Sequence, residues 1–414
     1  MLRALLAGIS GLRTHQTRLD VIGNNIANVN TIAFKASRVA TQEGFAEILA
    51  GATGSAWNHG STNPIQIGGG ARIGSIDAQF TQGALEATGR PLDLAIQGDA
   101  LFALSNGQKT VYSRAGNFQI DPTGRLVLGG TGAFLQGITA DSQGNLTGGV
   151  GDIVLDLQTG APPHATSRVV LSGNLDSGAE AGTEHTMSAQ VFDGSGASHD
   201  LTLTFTSNGD GTWGWQAATD DAAVSPSTAG TATFNEDGTL ATWTYAEGAS
   251  ALTITPTDGG SFTVDMLAGL GGDAGSLTSL GGSSTAAISS QDGYEAGDLV
   301  NITVDPTGVI QGIYSNGISL SLGQVSLATF NNPAGLLRSG GNLYEESASS
   351  GKPVAGFSGD TTTSAVVSGA LEGSNVDITE EFTRMIVTQR GFQANARMIS
   401  TADSMMSDMI NIRR

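Results

Sequence analysis

A seven-residue apolar repeat at both ends of the chain limits its fold more than any other feature. Toward the C-terminus, Ile378, Met385, Phe392, Ile399 and Met406 recur at that spacing, and Phe382, Gln389, Ala396, Asp403 and Ile410 fill the intermediate steps of four and three. A seam of period 3.5 runs along one side of an α-helix and calls for a second helix to cover it. Asp377, followed three residues later by Glu380, predicts an N-cap with its capping-box partner. No proline follows, so a helix of about 35 residues, roughly 50 Å long, is expected. Leu5, Leu12, Leu19 and Ile26 carry the same repeat at the N-terminus. That helix should end within Asn24–Asn30, where asparagine side chains compete for the backbone.

Between the ends the period changes from 3.5 to two. Runs such as Arg72 to Phe80, Leu92 to Ile96, Leu101 to Leu104, Leu299 to Val304 and Gln324 to Phe330 alternate and are bounded by turn residues, which predicts short antiparallel strands. Four turns share one grammar, opening at Asp121, Asp141, Asn235 and Asp305 and closing on Gly124, Gly144, Gly238 and Gly308. An Asp or Asn opening with a closing glycine is type I turn chemistry, and predicts hairpins. Residues 146–291 read as a further β segment, with Trp213, Trp215 and Trp243 available to seed its own core. The predicted class is multidomain and mainly β with paired terminal helices. Residues 1–30 and 376–414 form a coiled-coil-like inner domain, 71–145 and 292–344 an antiparallel β middle domain, and 146–291 an inserted outer β domain. Residues 31–70 and 345–375, rich in Gly, Ala and Ser, are expected to be connectors.

Charge separates these regions. The chain carries a net charge of −20. Residues 146–291 hold sixteen Asp and Glu against Arg168 alone, whereas residues 1–40 hold five basic residues against Asp20. No extended basic surface with interleaved aromatics is present, so a nucleic-acid partner is not expected. The acidic segment reads as a solvated outer surface. The absence of cysteine excludes disulfides and thiolate chemistry. No run of 18 apolar residues predicts a membrane insertion. The apolar run Ala4 to Ile9 is too short for a leader, so if the chain leaves the cytoplasm it is expected to do so by a route that does not cleave one.

Site chemistry does not stand out. His199-Asp200 near Ser195 and Ser198 offers the residue types of a triad without a known elbow or loop context. Asn208 to Thr212 resembles the start of a calcium loop but lacks the closing glutamate. The five histidines are scattered, so no metal, cofactor or catalytic residue is assigned.

The terminal blocks are recognisable. Gly23-Asn24-Asn25-Ile26-Ala27-Asn28-Val29-Asn30-Thr31, then Phe34-Lys35, resembles the N-terminal signature of the bacterial flagellar rod and hook family. Leu92 to Asp99, Tyr112 to Phe118 and Asp121 to Leu126 resemble its next blocks. Asn375 to Phe382, Gln389-Arg390 to Asn395 and Ile399 to Asp403 resemble its C-terminal block. The resemblance covers about residues 1–145 and 292–414. The size of the insertion, with Tyr314 to Gly317, Leu322 to Val325 and Asn332 to Leu336, is similar to the hook members. Ala33 departs from the pattern, standing where the family usually places a glycine able to adopt a left-handed backbone.

The resemblance implies an extracellular helical homopolymer, a hollow tube that joins rod to filament as a universal joint. It implies as partners the chain itself, a distal rod protein, a hook cap protein, hook–filament junction proteins and the flagellar type III export apparatus. The terminal apolar seams would then be buried between subunits. A rod or junction protein of the same axial structure is the neighbouring reading. A secreted β-rich adhesin leaves the matched seams unexplained, and a carbohydrate-active enzyme lacks a distinct carboxylate pair.

Overall fold

A computed structural model describes residues 2–52, 54, 61, 63–156, 160–220, 222–224, 228–257, 260–267, 275–360 and 363–412. The chain divides into two compact units. One comprises Met1–Asp156, Ile302–Gln311 and Ser321–Arg414, the other Leu157–Asn301 with Gly312–Leu320.

The first unit holds both helices, α1 (Leu2–Ala27) and α2 (Ile378–Ile412). Asp377 caps α2 by accepting the amides of Thr379 at 2.7 Å and Glu380 at 3.1 Å. The expected capping box is only half formed, because the Glu380 carboxylate turns forward to Arg384, at 2.5 Å, one turn along the helix. A full charge pair at i,i+4 outcompetes the return bond to a backbone amide.

The β core of this unit is built around Leu101–Ser105, which pairs with Thr110–Ser113, Phe134–Thr139 and Leu327–Thr329. Side chains alternate across that strand. Phe102 and Leu104 enter a cluster with Leu94, Ile96, Phe118, Leu126 and Leu135, while Leu101 and Ala103 enter a second cluster with Tyr112, Phe330 and Tyr344. A strand buried on both faces loses its polar alternation, which is why Leu101 to Leu104 reads as a continuous apolar run. Residues 151–155 also belong here. Gly151–Asp152 pairs with Phe134–Thr139, and Ile153 and Leu155 are buried in the core.

The segments expected as connectors carry strands of their own. Ser37–Glu43 pairs antiparallel with Ala71–Ala78, and Ala46–Ala50 pairs with Ile65–Gly68. Ala365–Ser368 pairs with Leu94–Gln97, and Ala370–Glu372 pairs with Leu85–Ala87.

The predicted turns form as read. Asp121 accepts the amides of Thr123 and Arg125, both at 2.8 Å, and Asp305 accepts those of Thr307 and Val309. The closing Gly124 and Gly308 take φ of +82° and +79°.

In the second unit, Glu184–Phe192, Ser198–Ser207, Thr212–Thr219, Ala229–Phe234 and Leu240–Tyr245 form an antiparallel meander. A further sheet centres on Arg168–Asp176, which pairs in parallel with Phe262–Leu267 and Ser276–Leu280. Leu201, Leu203, Phe205, Trp213 and Trp215 of the meander and Val169, Leu171, Ile254 and Val264 fill one core. Trp243 stacks on Trp215 with ring centroids 5.1 Å apart.

Candidate assembly site

Pairing of α1 with α2 is made possible by missing side chains. A Cβ on Gly8 would lie 2.9 Å from Met398 Cε, one on Gly11 would lie 2.5 Å from Asn395 Nδ2, and one on Gly391 would lie 2.7 Å from His15. Residue numbers rise along one helix as they fall along the other, so the pair is antiparallel. Glu381, Thr388 and Ala402 are buried along the same line of α2, and with Asn395 they keep the seven-residue period. The line that meets α1 therefore lies three positions on from the apolar repeat Ile378, Met385, Phe392 and Ile399, about 60° round the helix. Close approach of two backbones selects small and polar residues along this line, with Met398 and Ile399 reaching over Gly8 beside it.

The seam residues lie accordingly. Leu5, Leu12, Leu19, Ile26, Met385, Ile399 and Met406 are half-buried, while Ile378 and Phe392 are exposed. Phe382, Gln389, Ala396, Asp403 and Ile410 are exposed as well. At about 100° per residue, Ile378, Phe382 and Ile386 line one flank of α2, and Val387, Met398, Met405 and Met409 line the other. All seven remain exposed in the single chain.

The signature residues gather where both helices leave the β core. Asn25 is buried and clamps Ser37 twice, donating to its carbonyl and accepting its amide, both at 2.9 Å. Asn28 Oδ1 accepts the Thr31 hydroxyl at 3.0 Å, and Asn28 Nδ2 donates to the Asn24 carbonyl. Asn30 and Asn24 are exposed, as are Gln389 and Arg390 on the outer surface of α2. Ala33 takes the left-handed conformation at φ +56° despite its Cβ, at a cost on the order of 1 kcal/mol. Its amide donates to the Glu372 carbonyl at 2.7 Å, and its methyl is fully buried. Phe34 is buried beneath the Arg338 guanidinium, 5.3 Å from the ring centroid.

Lys35 is fully buried. Its ammonium donates to Glu372 Oε1 at 2.6 Å and to the Thr81 carbonyl at 2.8 Å. The other oxygen of Glu372 accepts Arg114 Nη1 at 3.3 Å, and Arg114 also donates to the carbonyls of Ile96 and Gly98. Burial pushes the Lys35 ammonium below the ordinary lysine value, and the Glu372 carboxylate opposes that shift. Asn375 ties the same junction, accepting the Ala36 amide at 2.7 Å and donating to Gln79 and Thr81.

Sequence reasoning missed Glu372, Arg114, Arg338 and Asn342 as parts of this site. Arg114 and Asn375 lie within recognised blocks, but nothing local marks Glu372 as the partner of a lysine 337 positions away.

Other candidates resolve into structure. Ser195 donates its hydroxyl to Asp193 at 2.8 Å, and His199 lies 3.7 Å from that carboxylate. Asp200 faces Gln190 across the ladder. These residues close a hairpin between strands Glu184–Phe192 and Ser198–Ser207. Among the described residues, no cluster of three or more His, Asp or Glu converges as a metal site, and no helix is long and apolar enough to cross a membrane.

Comparison with known proteins agrees along the whole chain. Residues 5–35 match a family model described as flagella basal body rod protein. Residues 163–294 match the flagellar basal body protein FlaE D2 domain, and residues 367–412 match the flagellar basal body rod FlgEFG protein C-terminal model. The flagellar hook protein FlgE of Treponema pallidum is 36% identical, covering 100% of both chains. That of Escherichia coli is 32% identical over 99% of this chain and 100% of its own. The flagellar basal-body rod protein FlgG of Bacillus subtilis is 31% identical over 100% of both. A crystal structure of a Helicobacter pylori hook protein, FlgE2, shares the fold at TM-score 0.52 and 13% identity, covering 68% of this chain and 98% of that one. From the helical termini through the inserted middle segment, the chain belongs to the flagellar hook protein family of bacterial axial proteins.

Proposed function

We propose that the chain is the structural subunit of the flagellar hook, polymerising into a hollow tube that transmits torque while it bends. The observation that carries this reading is the pair of apolar flanks on α2. A helix that packs against α1 at glycine notches, yet leaves Ile378, Phe382, Ile386, Val387, Met398, Met405 and Met409 exposed, is built to be covered by other copies. Leu5, Leu12, Leu19, Ile26, Met385, Phe392, Ile399 and Met406 would then complete their burial between subunits.

In this reading residues 1–30 and 376–414 form the inner tube and the acidic segment faces outward. The chain leaves the cell through the type III export apparatus without cleavage, and meets a distal rod protein, a hook cap and junction proteins at the ends of the polymer. The reading assigns no reaction to it. The full-length similarity to the Bacillus subtilis rod protein supports a rod subunit as the second reading.

Immunogold microscopy of motile cells, with antibodies against residues 146–291, tests both. Label on a short curved segment between cell body and filament is expected. Label only on purified basal bodies would favour the rod, and label over the whole cell surface would overturn the axial reading.

A further inference from the structure

We propose that Lys35, Glu372 and Arg114 form an ionic latch that sets how the two terminal helices leave the β core, and that the latch is thereby a determinant of the curvature of the assembled tube. The latch itself stands on the geometry of one chain. Its effect on curvature rests on the hook reading above.

Lys35 follows α1 by eight residues and Glu372 precedes α2 by six, while Arg114 follows the core strand Thr110–Ser113. One carboxylate therefore joins both chain ends to the body of the unit. All three side chains are at most 1% exposed. Glu372 Oε1 also accepts the Gly83 amide at 2.8 Å, so the ion lies in a fixed cage and not in a loose surface pair.

The backbone around the latch is equally constrained. The Lys35 carbonyl accepts Arg338 Nη2, the Ile32 carbonyl accepts Asn342 Nδ2 at 2.7 Å, and Ala33 is held in a left-handed conformation by the strand that carries Glu372. A strained residue persists only where its surroundings over-determine it. Residues 31–37 and 364–375 are therefore an inflexible elbow, although their composition reads as a compliant connector. Any change in the charge balance of the cage must move both helix exits together.

Glu372 is the carboxylate in contact with both cations, and Asp99 acts on Arg114 from farther away, which makes the variants unequal. Lys35→Met leaves Arg114 and Glu372 paired one to one and should still fold. Glu372→Gln leaves the Lys35 ammonium without its carboxylate partner and Arg114 with the more distant Asp99 alone, and is the severe change. Lys35→Arg keeps the charge and serves as the conservative control.

Two readouts separate the latch from its consequence. In the full-length chain, hydrogen exchange of residues 31–37 and 364–375 should accelerate together, by about a hundredfold or more in Glu372→Gln and less in Lys35→Met. Acceleration confined to the mutated segment, or rapid exchange of both segments in the unaltered chain, would overturn the latch. In cells, hooks of the Lys35→Met variant should change curvature while those of Lys35→Arg keep it. Unchanged Lys35→Met curvature would reduce the triad to local stability. If Lys35→Met cells build no hooks, linked acceleration of both segments in that variant upholds the latch, and exchange at unaltered rates overturns it. Failure of antibody labelling to find the chain in the hook would remove the curvature reading and leave the exchange result standing.

Discussion

The tryptophan-centred unit and the helical pair solve the problem of burying apolar surface in opposite ways. The second unit buries its largest aromatic side chains inside itself, with Trp213 and Trp215 each at most 2% exposed and Phe205 fully buried. The helical pair spends glycines and polar residues on its internal contact and leaves seven large apolar side chains on the flanks of α2 in solvent. An isolated helix gains little stability from its own backbone. The first region buries its aromatic core within one chain, whereas the second, on the reading proposed above, completes its core only against other copies.

The largest effect expected from this contrast is that of removing α2. A chain ending at Val376 should lose polymerisation altogether while the thermal midpoint of the Trp-containing unit, followed by fluorescence, stays within experimental error. Assembly of the truncated chain would break the comparison. Trp215→Ala should act in reverse. It removes a buried indole and lowers the stability of the second unit by about 3–5 kcal/mol, measured by denaturant titration, with the helical pair unaffected.

A smaller effect is expected at the helix contact. Gly391→Val places methyl groups where His15 lies, and overpacking of this kind costs about 1–3 kcal/mol. Reduced polymer yield with unchanged tryptophan fluorescence would sharpen the division, and normal assembly would show that the notch is dispensable. The smallest effect is at a turn. Hydrogen bonds from the Arg125 amide and from Thr123 hold the Asp121 carboxyl below its usual range. A depressed folded-state value contributes stability above the ordinary carboxylate pKa of about 4 and loses it as pH falls through the folded value. Asp121→Ala should therefore unfold at slightly lower temperature near neutral pH and converge with the unaltered chain in acid. Parallel curves down to the acid limit would contradict the assignment.

Much of the architecture was legible in the chain because it depends on local periodicity. The helix of α2, its Asp377 cap and the turns opened by Asp or Asn rest on residues close together in the chain, and the shared core of Trp213, Trp215 and Trp243 followed from their concentration in one segment. The face of α2 that meets α1 was not legible. Hydrophobicity marks Ile378, Phe382 and Phe392, while the actual contact runs through Glu381, Thr388, Asn395 and Ala402, because close packing rewards small volume over apolarity. The strands within 31–70 and 345–375 were obscured because alternations as short as Ile65-Gln66-Ile67 are too brief to stand out from the Gly, Ala and Ser around them.

The sequence by itself determined the mainly β class with matched terminal helices, the acidic middle and the family resemblance, since periodicity, charge and motifs are properties of a linear string. Only the tertiary structure decided what the signature lysine does. Lys35, read from its motif, carries no partner. Folded, it lies buried against Glu372 and Arg114, and the left-handed turn expected of glycine is imposed on Ala33 two residues before it. Both outcomes depend on groups brought together from distant parts of the chain, where burial makes a charge require its counter-ion and a cage of hydrogen bonds outweighs a local conformational preference.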